Sequence, residues 1–474
     1  MKRLLAFAVT GLMVLSLSPA ASAVDVKVRG QWYFHYGYYS NNTLTKNSDS
    51  GTHADRTRMR QRIRTQIDFI ADENLKALLN LETNMNWGST ETGVNAGHGG
   101  LDADSTTFVI KRAYLDWTLP SSQVQIRMGM QGISLPGLVA GNPVMDADVA
   151  GVTVSGQFTP EIGMTVFWAR PYDDGDQAST QTNGQNFNDE MDVFGVLVPI
   201  KTNVVRATPW AMFALIGTDS DYFGSRGVGS ALGGSGKNRG RKLINEDDAD
   251  GTAYAWWVGS SFEFPIIDPF VAKIDAMAGG IKTGDDDSDA FGYWVAGEFG
   301  YKFTFGTLTA RGWYSSGDKE DDDRGIIPGI SDDVTGFALT RYGMAGSYIR
   351  SWDRIISGNG FGMWGIGLQM ADVSFVDKLT HTLGVYYMGG TNEGDSTNRR
   401  SVRDVSGDSR FGNEFFMSSD RAWEVDLLNE YKVNENLRVS LDFSYLKLEL
   451  GDHWVDGDDT EGSFAAMLGV LYSF

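Results

Sequence analysis

Cysteine is absent from the chain, which removes disulfides, thiolate metal sites and a cysteine nucleophile together. Histidine is scarce: His35, His53, His98, His381 and His453 are scattered, and only "GDHW" at 451–454 sets one beside an acid. Adjacent residues on an extended chain point apart, so no acid–base pair is implied and no enzyme is expected. Positive charge is also short. With 40 Lys and Arg against 61 Asp and Glu, the formal charge is −21, which argues against nucleic acid as a partner. After residue 23 no apolar run approaches the roughly 18 residues that a spanning helix needs. Any later membrane crossing must therefore use strands.

The first 23 residues read differently. "MKRLLAFAVTGLMVLSLSPAASA" has Lys2 and Arg3, an apolar run from Leu4 to Leu17, then Ala21 and Ala23 at small-residue positions. This is the pattern of a secretory signal cleaved after Ala23; an uncleaved anchor fits less well, because the run is short and Pro19 follows it. Cleavage removes two positive charges and no negative ones, taking the formal charge from −21 to −23. What remains, 24–474, is expected to be one unit. The chain has 58 Gly, 12% aromatic residues and only 42% hydrophobic residues, as expected where each strand is apolar on one face and polar on the other.

Alternation of period two is clear from the start. Val24, Val26, Val28, Trp32, Phe34, Tyr36 and Tyr38 alternate with Asp25, Lys27, Arg29, Gln31, Tyr33 and His35. Further strands are expected near 56–70, 75–87, 108–118, 123–131, 151–158, 162–170, 190–198, 204–217, 252–264, 270–281, 290–303, 305–316, 361–375, 380–389, 422–432, 437–450 and 463–474. Short connections such as "TPE" and "VNEN" take turns with long ones such as 218–251, 317–360 and 390–421. Short turns on one rim and long loops on the other mark a transmembrane antiparallel β-barrel, with short periplasmic turns and long extracellular loops. The count is 18 strands, with 16 as the alternative, because 317–360 reads as a folded loop, a helix or an extra strand. Trp32, Tyr36, Trp87, Trp117, Trp168, Phe303, Phe305, Tyr431, Tyr472 and Phe474 gather near strand ends, as interfacial girdles do; taken singly, each also reads as a core aromatic.

"RTRMRQRIRTQ" carries the sharpest signal. Arg56, Arg58, Arg60, Arg62 and Arg64 recur every second residue, so a strand presents all five on one face. Facing lipid, each would cost up to about 2 to 4 kcal/mol near the midplane. The ladder must face water, as a pore wall or, in a soluble sheet, as a solvated face. Lys27, Arg29, Lys76, Arg112 and Arg127 fall on the same parity of neighbouring strands and widen the basic wall. The acidic runs at 284–289, 319–324 and 456–462 read as solvated loop tips; none has EF-hand spacing, and no metal or other cofactor is expected.

"DFIADENLKALLNLE" resembles the second hairpin of the trimeric general-diffusion porins, and "RAYLDWTLPSSQVQIRMGMQ" resembles their next one. With the leader, the length and the terminal phenylalanine, the whole is similar to the homotrimeric outer-membrane porins of sulfate-reducing bacteria. The motifs cover 56–131; beyond them the likeness is architectural. It implies a homotrimer in the outer membrane of a Gram-negative bacterium, in contact with lipid and lipopolysaccharide. It also implies recognition of the terminal aromatics, Tyr472 and Phe474, by the barrel-assembly machinery, and a loop folded into the lumen near 132–150. That loop, Gly132 to Ala150, has Asp146 and Asp148 as its carboxylates, either the acidic side of a constriction or simply turn residues. It lacks the "PEFG"-like signature of general porins.

The function expected is passive diffusion of ions and small hydrophilic solutes past an arginine-lined constriction. The ladder also suggests an anion-selective channel for phosphate, sulfate or organic acids, whereas the acidic loops favour cations at the mouth. A plugged structural or adhesive surface barrel is the rival of another class.

Overall fold

The computed structural model of the protein describes residues 24–41, 44, 55–89, 98–100, 108–173, 190–217, 220, 222, 252–284, 289–319, 325–330, 340–345, 356–357, 360–393, 411–412, 416–452, 454 and 460–474. The leader, His53, His453 and most of the acidic runs lie outside them. One antiparallel sheet dominates. It has 20 members, of which His98–Gly99 and Ile200–Lys201 are two-residue pieces, leaving 18 long strands rather than 16.

These are β1 (Asp25–Ser40), β2 (Arg56–Ile70), β3 (Leu75–Trp87), β4 (Val109–Thr118), β5 (Gln125–Ser134), β6 (Asp146–Gln157), β7 (Gly163–Asp173), β8 (Glu190–Leu197) and β9 (Arg206–Ile216). They continue as β10 (Ala253–Glu263), β11 (Phe270–Lys282), β12 (Ala290–Phe303), β13 (Gly306–Ser315), β14 (Met363–Val376), β15 (Leu379–Gly390), β16 (Arg421–Lys432), β17 (Leu437–Glu449) and β18 (Ser463–Ser473). Each pairs with its chain neighbour, and β18 pairs with β1 from Gln31↔Ser473 to Ser40↔Phe464, closing the barrel. Helical structure among the described residues is confined to a 3-10 turn at Pro265–Ile267 and a π turn at Arg341–Ala345.

Period-two sequence becomes two faces. On β12, Phe291, Tyr293, Val295, Phe299 and Tyr301 are exposed while Trp294, Ala296 and Glu298 between them are buried. The same alternation gives an apolar outer surface around the ring, with Trp87, Trp168, Trp256 and Trp423 exposed towards the long-loop rim and Trp117, Phe303, Tyr431 and Tyr472 towards the short-turn rim. An outward apolar band between aromatic girdles is the surface of a barrel solvated by lipid.

The final residue is part of the closure. The Gly30 N–H donates to the Phe474 carbonyl at 2.8 Å, and the Phe474 N–H donates back at 3.0 Å. Gly30 is required there, because a Cβ would stand 2.7 Å from the Phe474 ring.

Candidate functional site

The arginine ladder lies on β2. Arg56, Arg58, Arg60, Arg62 and Arg64 alternate with the exposed, outward Thr57 and Met59, and Arg60 is buried. Their surroundings hold carboxylates on the neighbouring strands. Arg64 Nε donates to Glu82 at 2.6 Å, Arg62 Nε to Asn84 at 2.9 Å, and Asn84 in turn to Glu82 at 2.6 Å. Arg29 reaches Asp68 at 3.4 Å and Lys76 reaches Asp116 at 3.6 Å. Arg127 grips Asp116 through two nitrogens, at 2.6 and 3.0 Å, and lies 4.2 Å from the centre of the Tyr114 ring. Lys27 pairs with Asp25 at 3.9 Å, both exposed. Like charges at this spacing repel, and the balancing acids Asp68, Glu82 and Asp116 come from the same wall. Sequence reasoning missed all three, although each has inward parity on its own strand.

Arg112, Asp146 and Asp148 lie elsewhere than the sequence suggests. The segment Gly132 to Ala150 is not all loop: β5 runs on to Ser134 and β6 begins at Asp146, so only 135–145 connects them. Asp146 pairs with Ser134 and Asp148 with Gly132, one residue off the parity of Gln131, which is buried inside and bonds Gly151 and Thr153. Both aspartates therefore sit on the outer side at the long-loop rim, and neither forms the acidic side of a constriction. The arginine follows them out. The register shifts where Leu81 meets Ile110 and Asn80 meets Arg112, leaving Lys111 as the extra residue of a bulge, a device that re-aims side chains. Lys111 and Arg112 then both reach Asp148, at 2.9 and 2.6 Å, and the Arg112 guanidinium stands where a Cβ of Gly132 would be.

Among the described residues, parts of the connections 135–145 and 316–362 turn inward. In 135–145, the Leu138 N–H donates to the Asp275 carboxylate on β11 at 2.8 and 3.0 Å and the Val139 N–H at 2.6 Å. Asp275 has no solvent exposure. The described parts of the second connection, 316–362, meet the wall around 325–330 and at the π turn. Around 325–330, Trp257 Nε1 donates to Pro328 O at 2.6 Å, Tyr222 Oη to Gly329 O at 3.3 Å, and Tyr172 Oη to Ile330 O at 2.9 Å. Burial pushes the Tyr222 hydroxyl above its ordinary pKa, so it stays a donor. The Ile330 N–H donates to Val144 O at 3.1 Å, joining the two connections.

The second meeting point is the π turn. The Tyr342 and Gly343 N–H groups donate to Glu424 at 2.7 and 3.0 Å, and the Arg341 N–H to Asp426 at 3.0 Å, while its guanidinium meets Asp442 at 3.0 Å. The Tyr342 hydroxyl lies 2.7 Å from Ser463, and its ring stacks on Tyr39 with centres 6.1 Å apart. Backbone donors turned inside a barrel need acceptors, and these buried carboxylates supply them. In sequence the signal was present: Glu424 and Asp426 alternate with outward Trp423, Val425 and Leu427.

Below the ladder a recess of about 280 Å³ opens into the inner wall where the chain closes, lined by Arg62, Arg64, Arg438, Tyr33, Gln31 and Ser440. Gly469 forms its floor, since a Cβ there would collide with the Tyr33 hydroxyl at 2.6 Å. Glu430 at the edge accepts from Arg438 at 3.3 Å. His35 is bonded to Tyr39 at 3.0 Å and His381 to Asn429 at 2.7 Å. Among the described residues, no three His, Asp or Glu side chains gather as a metal site would require.

No family model and no curated protein matches the chain. Solved structures do match in fold. An outer membrane protein, opdK, from Pseudomonas aeruginosa superimposes with a TM-score of 0.53 at 10% identity, over 95% of this chain and 98% of that one. OccAB3 of Acinetobacter baumannii gives 0.53 at 11%, over 94% and 99%. A BenF-like porin from Pseudomonas fluorescens Pf-5 gives 0.54 at 10%, over 95% and 98%. The shared architecture spans nearly the whole of each chain.

Proposed function

We propose that the protein is a porin of the Gram-negative outer membrane, a passive channel through which ions and small hydrophilic solutes diffuse. The observation that carries this reading is a closed, lipid-faced barrel with five arginines on the inward positions of β2, continued by Lys27, Arg29, Lys76 and Arg127, and a recess that Arg62 and Arg64 line together with Arg438. The match to solved outer-membrane barrels over 95% of the chain supports it. Such a path needs no cofactor and no chemical step; the size and charge of its narrowest part select what passes.

Position around the ring supports a path past the ladder. Asp275 on β11 stands nine strands from β2 in a ring of 18, so the connection 135–145 is pinned half a circumference from the ladder. The π turn packs on Tyr39 and Ser463 beside the upper end of the ladder, so the path proposed here runs past the lower arginines, Arg62 and Arg64. Guanidinium forks match the paired oxygens of carboxylates, phosphate and sulfate, and anion preference is therefore the expected sign: phosphate, sulfate or organic acids. The resemblance of residues 56–131 to the trimeric porins supports a homotrimer, exported with cleavage after Ala23 and assembled through Tyr472 and Phe474. Replacing Arg58, Arg60 and Arg62 with serine should move the reversal potential in a salt gradient towards cations. An unchanged potential removes the ladder from the conduction path.

One observation favours a second reading. The Ile330–Val144 bond links the inward connections into one body packed on Trp257, as a barrel plugged for a structural or adhesive role would require. Silent insertion of folded protein into a bilayer is its signature.

A further inference from the structure

The outer wall carries a feature that conduction does not use. On the lipid-facing side of β11 to β16 a groove of about 680 Å³ runs between Phe299, Ile366 and Leu368. It exists because Gly297, Ala310 and Gly312 take outward positions with little or no side chain. A Cβ at Gly297 would meet nothing closer than 3.9 Å, so the dent is open to lipid and is not filled by the barrel itself.

Its upper end is of different chemistry. Trp364, Tyr387 and Trp423 form an aromatic cluster there, with ring centres 5.7 and 4.6 Å apart. Across it lies Arg421, its guanidinium 5.6 Å from the Trp364 ring centre and laid over Gly389, where a Cβ would stand 3.0 Å from it. The Arg421 Nη1 is held by the Ser418 and Asp420 carbonyls at 2.8 and 2.6 Å. The fork has further N–H groups to offer. Lys447, exposed and in register with Trp423, adds a second cation; Glu449, in register with Arg421, is the acid of the patch. An apolar trough that ends in an aromatic platform with two cations, at the long-loop rim, fits a molecule with a hydrocarbon tail and an anionic head at the membrane surface.

We propose that this groove binds a phosphorylated glycolipid of the outer leaflet, one acyl chain lying over Gly297 and Ala310 and a phosphate meeting Arg421 and Lys447. The inference rests on the outer-membrane reading, and conductance of the same samples separates the two: these residues lie outside the lumen, so every variant below keeps the wild-type conductance.

The test uses the full-length protein, stripped of lipid in detergent and titrated with bis-phosphorylated lipid A, bound lipid being counted by native mass spectrometry. Wild type retains one lipid per chain in preference to phosphatidylglycerol. The double variant Arg421→Gln/Lys447→Gln binds at least about tenfold more weakly, the loss expected when a charge-assisted contact worth about 1.4 kcal/mol is removed. Gly297→Leu/Ala310→Leu, which fills the trough, weakens binding similarly, and phosphatase-treated lipid A binds wild type as weakly as it binds the double variant. Unchanged affinity in either double variant overturns the proposal, as does equal binding of phosphatidylglycerol. A change of oligomeric state in the groove-filling variant with lipid binding intact also overturns it, and assigns the groove to a second copy of the chain.

Discussion

Asp275→Ala should widen the channel. The carboxylate accepts from two peptide N–H groups of the inward connection, Leu138 at 2.8 Å and Val139 at 2.6 Å, in a place without solvent exposure. A hydrogen bond to a charged group contributes about 1.5 to 3 kcal/mol net, so the pair favours the pinned position by about 3 to 6 kcal/mol. Each 1.4 kcal/mol is a factor of ten in population. A loop pinned more than 99% of the time would then spend a substantial share of its time released, since reversing a 99:1 balance takes about 5.5 kcal/mol. Single-channel recordings of the variant should show a larger mean conductance and added current noise. Asp275→Asn, which keeps an acceptor oxygen without the charge, should fall between. The Ile330–Val144 bond still tethers the connection, so partial release rather than a fully open barrel is expected. Wild-type conductance and noise in Asp275→Ala, with thermal unfolding showing an intact barrel, would refute the idea that this carboxylate holds the constriction.

Other perturbations test neighbouring parts of the account. Gly469→Leu pushes the Tyr33 and Ser440 side chains into the recess lined by Arg62, Arg64 and Arg438 and should lower anion flux severalfold per folded barrel, measured by liposome swelling with organic acids on the heat-modifiable fraction. Raising the salt from 0.1 to 1 M shrinks the screening length from about 10 to about 3 Å; anion preference should fall accordingly, and a salt-independent ratio would count against a charged wall. Gly30→Val places a side chain against the Phe474 ring and should reduce assembled barrel, read as heat-modifiable mobility, whereas Gly297→Val on the open outer face should not. Tyr342→Ala removes the Tyr39 stack and the Ser463 contact; added current noise without loss of the barrel is the expected result.

The strands were legible because lipid outside and water inside impose the same alternation on every one of them. Val24 to Tyr38, Arg56 to Ile70 and the terminal "AAMLGVLYSF" each state it plainly. The bounds of β5 and β6 were harder, since Gly132, Ser134, Asp146 and Asp148 are turn-forming types. They are held in strand by the inward Ile133 and Val149, and by the ion pairs of Asp148 with Lys111 and Arg112. A bulge leaves no mark on composition, so the outward turn of Arg112 could not be read. What fills the lumen was partly written: in "AYAWWVG" adjacent tryptophans must face opposite ways, and Trp257, with Trp294 and Trp313, points inward to be covered by the long connection. Its partner Pro328 lies 71 residues away, a separation that period-two reading cannot bridge.

Single-channel conductance of the purified protein in a planar bilayer, under a salt gradient, is the most direct test of the central claim. Stepwise insertions closing in thirds, with a reversal potential on the anion side that the Arg58, Arg60 and Arg62 serine variant moves towards cations, are the predicted result. Folded protein that inserts without passing current would contradict it.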